Sequence, residues 1–157
     1  MTARSVQHDS FSIDRDYDFP PARVFAAWAD PAAKKRWFAD TEGFSGIEYA
    51  LDFKVGGLES ASGLHPEAGR FTYDAVIHDI VEDKRIVLAY RMTMDGQPIS
   101  VSLATVTFKP TASGTRLTYT EQAAFLDGLD NAGPRREGVA AQLEALAAQL
   151  QPSTAQA

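Results

Sequence analysis

No cysteine occurs among the 157 residues, which excludes disulfides, thiol catalysis and thiolate metal sites. Histidine is nearly as scarce. His8, His65 and His78 share no ligand spacing with one another or with carboxylates, so no metal and no cofactor is expected. A basic run is also missing. Lys and Arg number 15 against 21 Asp and Glu, a net charge of −6, which argues against nucleic acid and against anionic membranes as partners. No stretch approaches the roughly 20 apolar residues of a membrane span. Residues 1–10 hold no apolar signal core, so a soluble cytoplasmic protein is the expectation. No serine stands in a nucleophile elbow, and no glycine pattern matches a phosphate loop. Without repeats, linkers or low-complexity segments, one domain over residues 10–151 is expected, with flexible termini at 1–9 and 152–157.

What is present suffices for a core, since 45% of the residues are hydrophobic. Val139, Leu143, Leu146 and Leu150 recur at helical spacing, flanked by Ala140 and Ala147. They predict a long helix from Pro134 to Gln151 that cannot bury its apolar face alone. Upstream, the period is mostly two. Phe11, Ile13 and Tyr17 mark a first strand, and Pro20-Pro21 opens a helix carrying Val24, Phe25 and Trp28. Asp30-Pro31 starts a second short helix, with Lys34, Lys35 and Arg36 expected outward and Trp37-Phe38 closing it. Alternation then predicts six more strands: Ile47 to Leu51, a short weak Leu58 to Ser62, Phe71 to His78, Ile86 to Met94, Ile99 to Lys109 and Thr115 to Phe125. A loop over 63–69 carries His65. Asp95-Gly96 is the sharpest hairpin signal, because both central turn residues need positive φ. The fold class read from this order is α+β: a curved seven-stranded antiparallel sheet around a C-terminal helix, with two short helices after the first strand.

Several motifs on this order resemble one family. They are Phe19-Pro20 through Val24-Phe25, Trp28, Asp30-Pro31, Trp37-Phe38, Val55-Gly56-Gly57, Gly114-Thr115-Arg116-Leu117, and Asp127-Gly128 followed by Arg136-Glu137-Gly138. The set resembles the START-like (SRPBCC, birch-pollen-allergen-like) superfamily, and within it the group named after the activator of heat-shock-protein ATPase. The resemblance implies a helix-grip fold and an internal apolar cavity between sheet and helix. Many relatives carry Trp just after the glycine of the last helix, where this chain has Val139, and the smaller side chain enlarges the expected cavity or is compensated by a neighbour. The co-chaperones of that name have a further N-terminal domain, so a chaperone partner is not implied for this chain.

The candidate ligand-binding residues follow. Trp37 and Phe38, with Trp28, either line a ligand mouth or anchor the short helices. Tyr73, Tyr90, Met92 and Met94 fall on inward stripes, where they form a cavity wall or ordinary core; a buried Tyr90 phenol calls for a hydrogen-bond partner. Val139 and Leu143 supply the helix side. Glu121 shares a phase with Leu117 and Tyr119, so it faces inward to orient a ligand or act as a base, unless the strand bulges or ends near Gln122 and leaves it in solvent. Glu59 has the same standing on the weak strand. His78 is expected outward, and Arg135-Arg136 read as surface charges.

Three functions compete. The first is non-catalytic binding of a small hydrophobic or amphipathic molecule. The second, by analogy with cyclases and hydrolases elsewhere in the superfamily, is an enzyme, for which Glu59 and Glu121 are the only pair of titratable groups on offer; no catalytic residue is assigned. The third is a stress-response or chaperone-linked interaction module. Val101 and Leu103 alternate with Ala104, Val106 and Phe108, so that strand is apolar on both faces, and a homodimer covering one of them is expected.

Overall fold

The computed structural model describes residues 3–151. Its elements run β1 (Val6–Tyr17), α1 (Pro21–Ala29), α2 (Pro31–Lys34) with a π-helical turn (Lys35–Ala39), β2 (Ser45–Leu51), β3 (Leu58–His65), β4 (Gly69–Val81), β5 (Arg85–Met94), β6 (Gln97–Pro110), β7 (Thr115–Leu126) and α3 (Ala132–Leu150). The seven strands form one antiparallel sheet in the order β1-β7-β6-β5-β4-β3-β2. This is the α+β arrangement expected from the alternation of periods, and the helix-grip fold that the family resemblance implies.

Inward residues of the strands alternate with outward ones, as a half-buried sheet requires. On β7, Leu117, Tyr119, Glu121, Ala123 and Phe125 are all buried, without interruption. Helix α3 lays Val139, Leu143, Leu146 and Leu150 on the concave face, the four-residue stripe read from the sequence. Tyr17 donates from β1 to the Leu143 carbonyl at 3.0 Å and fixes the height of the helix. Ladder irregularities at Ile77/Asp79 and Met92/Thr93 bend the sheet around it. The β5–β6 turn uses Asp95 and Gly96 at φ 50° and 79°, the two left-handed positions the hairpin demands. Gly57 serves close approach, because a Cβ there would overlap the Asp52 carbonyl oxygen.

Several boundaries differ from the sequence expectation. Strand β1 begins at Val6, so residues 6–9 pair with β7 (Val6 opposite Leu126) and are no flexible tail. The expected tail beyond Gln151 lies outside the described residues. Strand β3 runs through to His65, held by ladders to β2 on one side and β4 on the other, which shortens the loop before β4. Helix α3 starts two residues earlier than Pro134: Asn131 is its N-cap, its side chain accepting from the Gly133 amide at 3.1 Å. Finally, Val101 and Leu103 point out from the sheet, 48% and 39% exposed, while Ala104, Val106 and Phe108 are buried beneath them. Among the described residues no helix is long and apolar enough to cross a membrane.

Candidate functional site

Between the sheet and α3 lies a cavity of about 670 Å³. Steric economy on the sheet side helps to create it. Inner-face positions 61 and 104 in its lining are alanines, each buried, where larger side chains would take up the space. Gly138 lies on the helix side, and a Cβ there would meet nothing within 4 Å. The exposed segment 40–44 supplies the rim with Asp40, Thr41, Glu42 and Phe44.

Of the residues proposed from sequence, Trp37, Phe38, Tyr73, Tyr90, Met92, Val139 and Leu143 line this cavity, as do Trp28 and Met94. The aromatic group serves both roles read for it. Trp37 donates from Nε1 to the Ala27 carbonyl at 2.9 Å and ties the π-helical turn to α1. Its ring meets Trp28 edge-on with centroids 4.7 Å apart, and Phe38 meets Tyr73 at 5.1 Å. Gln142 of α3 donates to the Phe38 carbonyl at 3.0 Å, so helix and turn are joined beside the opening.

Glu59 and Glu121 are both fully buried, 1% and 0% exposed. The alternative in which Glu121 reaches solvent is therefore overturned, because β7 continues unbroken to Leu126. Neither carboxylate lines the cavity, however. Each stands behind the wall, at the centre of a hydrogen-bonded cluster. Glu59 accepts from Lys34 Nζ at 2.7 Å, from Tyr73 at 3.1 Å and from Tyr49. Glu121 accepts from Tyr90 at 2.6 Å, Ser102 at 2.7 Å, Tyr119 at 2.7 Å and Arg135 at 3.0 Å. Arg135 also reaches Ser100 and Asp130, both at 2.7 Å. Taking charges out of water costs several kcal/mol per ion unless each is paired and every lone pair is used. Each carboxylate is paired with a cation, and Glu121 takes four donors and Glu59 three.

Lys34 and Arg135 correct the sequence reading, which sent both to the surface. They are 3% and 8% exposed. Their positions carried a signal. Arg135 lies one helical turn before Val139 and thus extends the apolar stripe, while Lys34 precedes Trp37 and Phe38 by three and four residues. Lys34 Nζ sits 4.3 Å from the Phe38 ring centroid and 4.9 Å from Trp28. Burial drives the Tyr73, Tyr90 and Tyr119 phenols upward, and the adjacent carboxylates reinforce the effect, so all three stay protonated donors. For Arg135 burial works against the charge, but Tyr90, Glu121 and Asp130 outweigh it and raise the guanidinium above its ordinary value. None of the histidines lines the cavity, though the His65 ring packs against the rim residue Phe44 with centroids 5.1 Å apart. His78 is exposed, and His65 accepts backbone N–H groups of Glu67 and Ala68 at its own turn. Among the described residues no group of His, Asp and Glu is arranged to hold a metal.

The family described as "Activator of Hsp90 ATPase homolog 1-like protein" matches residues 18–151. Among solved structures, an uncharacterised protein from Rhizobium leguminosarum is 40% identical, with a TM-score of 0.90 over 95% of this chain and 98% of its own. A protein from Rhizobium loti is 48% identical, with a TM-score of 0.86 over 92% and 99% of the two chains. An AHSA1-like protein from Aeromonas hydrophila shares the fold at 17% identity and a TM-score of 0.68, over 92% and 97%. A search of curated proteins gave no match.

Proposed function

The chain belongs to the Activator of Hsp90 ATPase homolog 1-like family, and on that footing we propose that it binds a small hydrophobic or amphipathic molecule between its sheet and α3. The observation that carries this reading is the 670 Å³ cavity, walled by aromatic rings, methionines and the apolar stripe of α3. That volume suits a drug-sized ligand, whose affinity comes from burying apolar surface while a few polar groups set its orientation. The charged groups of the inner wall are fixed: Lys34, Arg135 and Asp130 are held by the ion pairs already described. Glu59 and Glu121, which a hydrolytic reading needs converging on substrate, instead spend their lone pairs on tyrosine, serine, lysine and arginine donors.

The test is thermal unfolding in the presence of apolar alcohols, amines, acids and aromatic heterocycles. A ligand at 100 times its Kd stabilises the folded form by about 2.7 kcal/mol, several degrees in Tm for a domain of this size. A melting point unmoved by every class would remove the reading.

A further inference from the structure

We infer that the molecule this cavity accepts is a hydrophobic organic cation, a protonated amine carried on an aromatic or alicyclic body. The inference rests on the cavity reading above and specifies its ligand class. The first argument is a charge inventory. Lys34 faces Glu59 at 2.7 Å, Lys35 faces Asp40 at 2.7 Å, and Arg135 faces Glu121 at 3.0 Å. Both cations of the lining, Lys34 and Arg135, are thereby matched, and Lys35 answers the lining's Asp40. Two carboxylates of the lining remain in surplus. Asp130 shares the already paired Arg135, and Glu42 makes no ion pair among the described residues. An entering anion would find no uncommitted cation in the lining. It would have to displace a carboxylate from a buried pair, which leaves that carboxylate uncompensated. An entering cation meets the opposite situation.

The second argument concerns the rings. Tyr73 and Tyr90 give their hydroxyl protons to Glu59 and Glu121, so their polar ends are consumed and their rings remain for the cavity. Donation to a carboxylate pushes electron density into the phenol and deepens the negative potential of its face. The wall already holds cations this way: the Lys34 ammonium over Phe38, and the Arg135 guanidinium 5.6 Å from the Tyr90 centroid. The ligand's ammonium belongs beside Glu42 on the exposed 40–44 segment, with Asp130 adding to the negative balance of the lining, and its apolar body lies against the tyrosine rings.

Calorimetric titration with naphthylmethylamine, naphthylmethanol and naphthoate, one ring system in three charge states at neutral pH, tests this. The amine is expected to bind about tenfold tighter than the alcohol, with naphthoate weakest. Glu42→Gln, at an exposed position, should lower the amine's affinity about threefold and leave the alcohol's unchanged. An amine that binds no tighter than the alcohol, or naphthoate that equals the amine, overturns the cation inference and leaves the cavity reading intact. If none of the three binds, the cavity reading falls with it.

Discussion

Replacing Arg135 with methionine would strand Glu121 with three hydroxyl donors and no countercharge, at a site with no access to water. Removing one member of such a pair costs about 3–5 kcal/mol. Arg135→Met should therefore shift the urea midpoint sharply, and adding Glu121→Gln should restore more than half the loss, because the remaining partner is then neutral. A double variant whose loss equals the sum of the two single losses would mean that the pair contributes no coupling. Part of this residue-scale picture was legible in the chain. The strand phase points Glu121 inward, and the partner that a buried Tyr90 phenol requires is that carboxylate. Arg135 sat in phase with the stripe, but two adjacent arginines near a helix start read as surface charge. Only the register across β5, β6 and β7 reveals that an acceptor waits opposite, and that pairing is non-local.

The long helix and the π-helical turn set the size and opening of the cavity. Gly138 is exposed on α3 with open space where a Cβ would stand. Gly138→Ala should raise stability by about 0.5–1 kcal/mol through helix propensity alone, read by chemical denaturation. Val139→Trp should do something different: the protein stays folded by circular dichroism, but the indole fills the cavity and thermal shifts by apolar ligands vanish. Retained ligand shifts in that variant would place the binding elsewhere. Strands and the long helix were readable because their apolar periods are strong. Strand β3 exceeds its sequence signal because Ser60, Ser62 and Gly63 favour strands weakly; pairing on both sides, not propensity, holds it. The π-helical turn has no sequence signature, and it is what turns Trp37 and Phe38 beside Lys34.

All five tyrosines of the molecule are pushed above the usual phenol value, each chiefly by burial. The folded state thus keeps phenolic protons that the unfolded chain releases above about pH 10. Their contribution to stability is intact below that pH and declines as alkalinity rises, by up to about 1.4 kcal/mol per pH unit for each tyrosine. Thermal unfolding between pH 8 and 11 should show a steep loss above 10, with tyrosinate absorbance rising together with unfolding. A phenolate signal that precedes unfolding would contradict the burial. One more consequence belongs to the sheet order. Strand β1 pairs only with β7, and its Ser12 bonds Thr120 across a separation of 108 residues. During synthesis β1 leaves the ribosome long before its mate exists, so its backbone edge stays unmatched until translation of β7. Nascent chains arrested ahead of Thr115 should remain open to protease at β1, whereas chains released past α3 should be resistant.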